Sequence, residues 1–374
     1  MARGCGCWYG GQHRLPTGRD HNQAPHPTRP MFAPNHQTPS PSRRQALQAA
    51  AAALLPCGSW AADAVAPFAG AECIAPSKPG GGFDLTCAVA SQAIARVRPQ
   101  ANAMHTRYLP GGIGAVAFDQ AASGRLGGPG TLVAFSSGSL LNIAQGRFGP
   151  HPVQAVRWIA TLGTDYGVVA VHRDSPHHSM PQLVQALREA PSKQVFGAGG
   201  TLGSQDWMKA ALLVRAADQD PRKMRFVSFE GGGEAIKALE SGHLGVFTGD
   251  AAEAMKALSK GAQFKLLAVL APARLPGRLR DVPTATEQGV ALVWPTVRGV
   301  YMAAGTPEAA VAAWTAAFEQ AHSAPGYAAL CQEHGLAPHR LTGAALGAFV
   351  QKSVEDYRLL AKELGLRLWK APAP

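Results

Sequence analysis

The chain has 374 residues, of which 46% are hydrophobic and 16% are charged, and its formal net charge is +11. This length is sufficient for two domains with cores of their own, and the composition is that of a soluble globular protein. No apolar run reaches the roughly 20 residues that a membrane-spanning helix needs. The basic residues form no continuous run and are not interleaved with aromatic residues, which argues against nucleic acid as a partner.

The first 62 residues differ in composition from the rest of the chain. Residues 1–40 are rich in Pro, His, Gly and Asn without periodicity, so we predict that they are disordered or precede the true start, for which Met31 is an alternative. Residues 1–62 contribute six arginines and one aspartate, and their removal would leave a net charge of +6. A mildly positive field of this kind would attract small anions.

An export signal is predicted in the second part of this segment. Arg43 and Arg44 come before the apolar run 49–55 and a small-residue cleavage site near Ala61, which is the layout of a secretory signal. The paired arginines resemble a twin-arginine signal, so the mature protein is expected in the periplasm. A basic helix on the mature protein and lipid attachment at Cys57 stay open as alternatives.

Export leaves three cysteines, Cys73, Cys87 and Cys331. In an oxidising compartment a Cys73–Cys87 disulfide would join the first predicted strand to the first predicted helix. Closing a loop of about 15 residues stabilises a protein by about 3 kcal/mol. Two free buried thiols are the alternative for this pair. The cysteines and histidines lack the spacing of a zinc site, and no metal is predicted.

From residue 69 onward, short apolar runs alternate with segments of helical periodicity. Strands are predicted at residues 71–75, 106–109, 131–136, 158–162, 167–172, 194–198, 224–228, 244–248, 264–270 and 297–303. Helices are predicted at residues 84–96, 113–122, 180–189, 204–216, 232–241, 251–260, 309–322 and 342–364. This alternation is typical of an α/β fold with largely parallel sheets.

Four glycine-rich loops lie between a predicted strand and a predicted helix. They are Pro79-Gly80-Gly81-Gly82-Phe83-Asp84 and the segments 110–114, 197–204 and 229–233. Glycines let the backbone turn tightly, and the start of the following helix favours an anion such as a carboxylate. Because open α/β sheets bind ligands at the carboxyl ends of their strands, the four loops predict an anion-binding cleft. The alternative is that each loop is only a tight turn.

The third loop is also a near match to a dinucleotide-binding fingerprint, through Gly197, Gly199 and Gly203. It lies in the middle of the chain, and the acidic residues some twenty positions later are in a predicted turn. The sequence contains no Gly-x-Ser-x-Gly elbow, no His-Glu-x-x-His pair and no P-loop lysine. We therefore predict a protein that is not an enzyme and has no catalytic residues and no cofactor. A dinucleotide-binding enzyme is one alternative.

The glycine loops and the segments around them resemble the Bug-type substrate-binding receptors of tripartite tricarboxylate transporters. The matching segments, in order, are residues 72–87, 109–114, 197–207, 229–234, 282–289 and 294–299. The resemblance extends over about residues 70–368 and is closest to the tricarboxylate branch, because of Cys73, Cys87 and the last segment. One departure is Ile113-Gly114, where the family typically has a small polar residue or Asn.

The resemblance implies an α/β, two-lobed periplasmic binding protein of the type II-like, Venus-flytrap kind, with a ligand cleft between its lobes. Residues 63–168 and 292–374 would form lobe I and residues 169–291 lobe II, after the extension and export signal in residues 1–62. It also implies a monomeric receptor that binds a small di- or tricarboxylate such as citrate. The receptor would deliver this ligand to the membrane permease subunits of the transporter. A periplasmic sensor that acts on a signalling partner is the other alternative.

The expected ligand-binding residues follow from the positions that match the family's motifs. The resemblance implies that two loops of lobe I and the residues of lobe II that face them bind the ligand. These residues are Gly81, Gly82, Phe83, Asp84, Gly111, Gly112, Ile113, Thr201, Gly203, Ser204, Gln205 and Asp250. Ser137 and Asp165 complete the set, with Asp165 as either a ligand residue or a hinge residue. Because a second carboxylate needs a cation, we expect Arg298 to bind it in a bidentate pair. The alternative for Arg298 is that it braces the hinge.

Overall fold

The computed structural model describes residues 67–99, 104–366 and 368. The strands within these residues are β1 (Glu72–Ala75), β2 (His105–Tyr108), β3 (Thr131–Ser136), β4 (Arg157–His172), β5 (Val195–Gly199), β6 (Arg225–Phe229), β7 (Val246–Phe247), β8 (Phe264–Leu270), β9 (Pro295–Met302) and β10 (Ala337–Pro338). The α-helices are α1 (Gly82–Val97), α2 (Ala115–Ala122), α3 (Ser137–Ala144), α4 (Met180–Glu189), α5 (Gln205–Ala216), α6 (Gly232–Glu240), α7 (Ala251–Ser259), α8 (Glu308–Ser323), α9 (Tyr327–Glu333) and α10 (Gly343–Glu363). The predicted export signal lies outside the described residues. None of the described helices is long and apolar enough to cross a membrane.

The strands form a mixed sheet with the order β2, β1, β3, β9, β4, β7, β5, β6, and both β8 and β10 pair with β4. The pairs toward the two ends, β1 with β2 and β3 and β5 with β6 and β7, are parallel. The pairs in the middle, which involve β4 and β9, are antiparallel. The prediction of largely parallel sheets is therefore wrong for the middle, where β4 and β9 join two groups of parallel strands.

The strand β4 connects the two halves of the sheet. It pairs with β9 as far as Tyr166, and from Gly167 onward it pairs with β8 and β7. The sequence predicts two separate strands here, at residues 158–162 and 167–172, and this is wrong. The residues between them continue the strand because they pair with the first half of β9, which is more than 100 positions away in the chain. Strand formation depends on such neighbours as well as on local sequence.

Five of the helices that follow a strand are used in the description of the site below. They are α1, α3, α5, α6 and α7, which follow β1, β3, β5, β6 and β7. The helix α3 is missing from the predictions, because Ser136-Ser137-Gly138-Ser139 has the composition of a loop. In the structure the Ser136 hydroxyl accepts the Gly138 N–H, and the Ser139 hydroxyl accepts the Ser136 N–H. These hydrogen bonds form a capping box that starts the helix.

Buried apolar side chains hold these helices against the sheet. Trp314 and Phe318 of α8 belong to the core that also contains Ile94 of α1, and Met208 of α5 belongs to the core around β5. Two charged residues are equally buried: Arg298 in β9 is 2% exposed and Lys209 in α5 is 0% exposed. Arginine and lysine are almost never buried to this extent unless they are paired. The partners of these two residues therefore decide how the site is organised.

The predicted disulfide between Cys73 in β1 and Cys87 in α1 is confirmed, with the two Cα atoms 5.4 Å apart. Both cysteines are fully buried. The bond ties the strand before the first glycine loop to the helix after it. Cys331 is buried and free, as expected.

Replacing both bridged cysteines (Cys73→Ala with Cys87→Ala) is expected to lower the free energy of unfolding by about 3 kcal/mol, because the unfolded chain regains its loop entropy. Denaturant titration of the wild type and the double variant would measure this difference. Cys331→Ala removes a buried thiol without breaking a disulfide and therefore corrects for lost packing. A reducing agent should destabilise the wild type and leave the double variant unchanged, and a wild type that is insensitive to it would contradict the prediction.

Candidate ligand-binding site

The N-termini of five helices converge on one cavity of about 560 Å³, a volume that includes its open mouth. Residues at or next to the first turns of α1, α3, α5, α6 and α7 line it. The first N–H groups of a helix have no partner inside the helix, and each N-terminus carries about half a positive charge. Such a cavity favours an anion that accepts hydrogen bonds from backbone N–H groups.

Glycines allow the first loop to approach the side chains below it. Gly80 has φ +92°, a left-handed conformation that residues with a side chain rarely adopt. Gly82 begins α1 and lies against Arg298, so that a Cβ atom at position 82 would overlap with the guanidinium nitrogen Nη1. A Cβ atom at Gly81 would lie 3.8 Å from its nearest neighbour, an ordinary contact distance. The close approach to Arg298 therefore requires glycine at position 82 but not at 81.

The second loop contains a strained residue. Gly111, Gly112 and Ile113 all have positive φ, and Ile113 has φ 49° and ψ 51°. A β-branched residue in this region costs about 1–3 kcal/mol, and such residues cluster at binding sites, where the surrounding structure holds them in place. Ile113 lines the cavity, which is consistent with that tendency.

Arg298 lines the cavity but is already paired with two carboxylates. Its Nε and Nη2 atoms donate to Asp165 Oδ2 at 3.2 and 2.6 Å, and Nη2 also donates to Asp250 Oδ2 at 2.9 Å. A ligand carboxylate at Arg298 would have to compete with both aspartates. The guanidinium therefore joins β9 to β4 and to the residue that precedes α7.

Lys209 extends the same set of contacts into α5. Its Nζ atom lies 2.7 Å from Asp206 Oδ1 and 2.8 Å from Asp250 Oδ1. The buried charge network, as we call it, consists of two cations and four carboxyl groups: Arg298, Lys209, Asp165, Asp206, Asp250 and Glu253. Burying charges is costly unless each one is paired, and Asp250 contacts both cations.

Burial favours the protonated form of one carboxyl group in the buried charge network. Burial, reinforced by the negative charges of Asp250 and Asp206, raises the pKa of Glu253 to about 8. Burial also raises the pKa values of Asp165 and Asp206 to about 6, despite the neighbouring cations. Burial opposes the ionisation of Asp250, but the two cations outweigh it and lower the pKa of this residue. The raised pKa of Glu253 favours its neutral form, in which it would not repel a bound anion.

The structure brings together many of the predicted ligand-binding residues. Those that line the cavity are Gly81, Gly82, Phe83, Ile113, Ser204, Gln205, Asp250 and Arg298. Gly112 and Thr201 line a larger cavity that adjoins it. The predicted residues that line neither cavity are Asp84, Gly111, Ser137, Asp165 and Gly203.

Three of these residues form hydrogen bonds with other parts of the protein. Asp84 accepts a hydrogen bond from Lys256 Nζ at 3.2 Å. The Ser137 hydroxyl accepts the backbone N–H of Val297 at 2.9 Å, which connects α3 to β9. The Gly203 carbonyl accepts a hydrogen bond from a side-chain amide at 2.8 Å. These contacts connect elements near the cavity to one another.

Several cavity residues are absent from the predicted set. They are Ser77, Ser136, Gly138, Asn142, Gly199, Asp206, Glu230, Gly231, Gly232 and Glu253. Glu230 and its neighbours lie in the fourth glycine loop, so their position at the cavity could have been predicted from the sequence. Asn142 lies on the unpredicted helix α3. Asp206 and Glu253 are in the first turns of helices, where acidic residues are common, so their positions carry no specific signal.

Residues 110–366 of the chain match the model of a protein family described as the tripartite tricarboxylate transporter family receptor. The chain belongs to this family. Its members are periplasmic solute-binding receptors rather than enzymes. The predicted resemblance to the receptors of tripartite tricarboxylate transporters is therefore confirmed.

Similar proteins support the same assignment of family and fold. A UPF0065 protein of Bordetella pertussis is 23% identical over 316 residues, which cover 84% of this chain and 95% of that protein. MatC from Rhodopseudomonas palustris, solved with bound malate, is 21% identical with a TM-score of 0.65, over 78% of this chain and 98% of MatC. The periplasmic binding protein BugD is 17% identical with a TM-score of 0.70, over 79% of this chain and 98% of BugD. The predicted fold of an α/β, two-lobed periplasmic binding protein is confirmed.

The substitution Gly82→Ala is expected to lower the free energy of unfolding by about 1–3 kcal/mol, because the new Cβ atom would push the Arg298 guanidinium away from its aspartates. Gly81→Ala is the matched control one residue earlier, and its cost should stay below about 1 kcal/mol. Thermal and denaturant unfolding of both variants would measure the difference. Equal losses in the two variants would show that position 82 has no special contact with Arg298.

Glu253→Gln is expected to change how stability depends on pH. Since folding raises the pKa of Glu253 from 4.5 to about 8, the folded protein retains a proton that the unfolded chain loses between these values. The free energy of unfolding of the wild type therefore falls as the pH rises through this window and levels off above it. Gln is neutral at every pH and keeps an acceptor for the Asp250 N–H, which Glu253 accepts at 3.1 Å.

Denaturant titrations between pH 5 and 9 would test this expectation. As the pH rises, the free energy of unfolding of the Gln variant should increase relative to that of the wild type. The expected change is on the order of a few kcal/mol, since one pKa unit corresponds to about 1.4 kcal/mol. Glu355→Gln, on the exposed side of α10, is the control for removing one carboxylate. A constant difference between wild type and Glu253→Gln over this range would contradict a raised pKa.

Proposed function

We propose that this protein is a receptor that binds a small carboxylate at the five helix N-termini and delivers it to the permease of a tripartite tricarboxylate transporter. The convergence of these N-termini on one cavity is the observation that carries the proposal. Membership of the receptor family supports it. The bound malate of MatC, a similar structure, also supports a carboxylate as the ligand.

A carboxylate suits the chemistry of the cavity. Its two oxygens accept several hydrogen bonds, and the backbone N–H groups of Gly82 and Phe83 belong to the unpaired first turn of α1. Hydrogen bonds to a charged acceptor are about twice as strong as those between neutral groups. Because the cations of the buried charge network are paired with aspartates, the ligand would be held mainly by backbone groups. Binding of this kind recognises a carboxylate without chemically changing it.

The ligand would also favour closure of the two lobes. The proposed lobes are residues 63–168 with 292–374, and residues 169–291. Lys78 pairs with Glu234 at 2.7 Å and Lys256 with Asp84 at 3.2 Å, so both ion pairs join one proposed lobe to the other. Surface pairs of this kind contribute only about 0–1 kcal/mol each. A ligand that contacts helix N-termini of both lobes would add to these contacts and shift the population toward the closed state.

Delivery to a permease requires that the receptor leaves the cytoplasm. We propose that the segment 42–61 directs export by the twin-arginine route and is removed near Ala61. The mature receptor would act as a monomer, pick up the carboxylate in the periplasm and present it to the membrane subunits in its closed state. N-terminal sequencing of protein recovered from the periplasm would test the cleavage.

Calorimetry and thermal unfolding would test ligand binding. Protein purified from the periplasm of cells that express the full chain is titrated with citrate, tricarballylate, malate and succinate, with the dimethyl ester of malate as the uncharged control. A ligand at 100 times its Kd stabilises the folded state by about 2.7 kcal/mol. We expect at least one of the carboxylates to raise the Tm by several degrees and the ester to have no effect.

The same assay distinguishes the alternatives. If no carboxylate stabilises the protein, the proposed function is wrong. If NAD or NADP stabilises it and carboxylates do not, the dinucleotide-binding enzyme suggested by the segment 197–203 is favoured instead. Stabilisation by the ester and by malate alike would show that the negative charge is not recognised.

A further inference from the structure

A second cavity continues from the one at the helix N-termini. It measures about 1180 Å³ including its open side. Ile113, Asn142, Ser204 and Glu230 line both cavities and form the junction between them. If one carboxylate of the ligand lies in the first cavity, the second cavity can hold the other end of a longer molecule.

Arg147 lines this second cavity, shortly after the end of α3. Its Nη1 atom donates to Thr201 Oγ1 at 2.9 Å, and within residues 67–99 and 104–366 no carboxylate lies within 4 Å of its guanidinium. The side chain is half-buried, and burial lowers the pKa of Arg147. Arg298 and Lys209, by contrast, each contact two carboxylates. A partly desolvated guanidinium without a counter-charge favours an anion supplied by the ligand.

Glu230 restricts where such an anion can lie. Its Oε2 atom is buried and has no hydrogen-bond partner among the described residues. A ligand carboxylate at the junction would be repelled by this group, whereas a hydrocarbon chain or a hydroxyl group would not. Two carboxylates of one ligand are therefore best placed on opposite sides of the junction. One side offers the helix N-termini, and the other offers Arg147.

We propose that Arg147 binds the second carboxylate of an elongated dicarboxylate whose first carboxylate lies at the helix N-termini. This inference rests on the proposed function and adds a specificity-determining residue to it. A guanidinium binds a carboxylate through two parallel N–H···O bonds, and the contact with Thr201 leaves most of its five donors available. A compact tricarboxylate such as citrate would place its central carboxylate beside Glu230 and would bind more weakly than an elongated dicarboxylate.

Isothermal titration calorimetry with adipate, hexanoate and citrate would test the proposal. Adipate and hexanoate have the same chain length and differ by one carboxylate, so this pair isolates the contribution of the second carboxylate. We expect the wild type to bind adipate at least about tenfold more tightly than hexanoate or citrate, as a charge-assisted bidentate pair would provide. In Arg147→Gln the affinity for adipate should fall by about tenfold or more, and that for hexanoate should change by less than about twofold.

Two further variants serve as controls. Arg215→Gln removes the same charge from the exposed end of α5, away from both cavities, and should alter no affinity. Glu230→Gln removes the repulsion at the junction and should raise the affinity for citrate relative to that for adipate by about fivefold or more. The unfolding temperature of each variant without ligand shows whether it is folded. If Arg147→Gln does not fold, the proposal is tested by the ratio of the adipate and hexanoate affinities in the wild type, and equal affinities overturn it.

The outcomes separate this inference from the proposed function. Equal binding of adipate and hexanoate by the wild type would overturn the role of Arg147 and leave a carboxylate receptor intact. An equal loss of both affinities in Arg147→Gln would likewise overturn it, because the residue would then support the site as a whole. If none of the three acids binds but malate, succinate or tricarballylate does, the assignment of Arg147 is overturned and a carboxylate receptor remains. If no carboxylate of either panel binds, the proposed function is wrong, and the assignment of Arg147 is lost with it.

Discussion

The two ion pairs that Arg298 forms with Asp165 and Asp250 connect the parts of the molecule on which the site depends. Asp165 lies in β4, Asp250 precedes α7, and Lys209 of α5 contacts the same Asp250. Taking these charges out of water costs several kcal/mol for each ion, and only the mutual pairing offsets this cost. The elements that carry them are therefore held in one arrangement, because displacing any member would leave a buried charge without a partner.

The buried charge network also bears on the proposed binding of an anion by backbone groups. Both buried cations are neutralised by aspartates, and the loop at Gly82 packs directly on the guanidinium of Arg298. What faces the cavity is a set of helix N-termini with unpaired N–H groups. Four carboxyl groups close to an anion site would be unfavourable if all were ionised, and the raised pKa of Glu253 favours the neutral form of one of them. In the binding mode that we propose, the rest of the ligand meets Glu230 at the junction of the two cavities and Arg147 beyond it.

Much of this organisation was open to prediction from local sequence. The glycine loops predict helix N-termini at a ligand cleft, and three of the five helices whose first turns line the cavity, α1, α5 and α6, follow such a loop. Export made a Cys73–Cys87 disulfide one of two alternatives, beside two free thiols, and the disulfide is present. The start of α3 is absent from the predictions, because three serines and a glycine resemble a loop until their side chains cap the helix. The role of Arg298 stayed open between ligand and brace, because its partners are more than 45 positions away in the chain.

Local features could be predicted from the sequence alone: alternating strands and helices, tight turns at glycine and the family. Hydrophobic periodicity and backbone sterics link these features to residue types at short spacing in the chain. The folded structure was needed to establish which charges neutralise one another, that β4 is one continuous strand, and that Arg147 lacks a carboxylate partner within the described residues. Burial and Coulomb interactions depend on distance in space rather than on distance along the chain. These features therefore could not be predicted from local sequence.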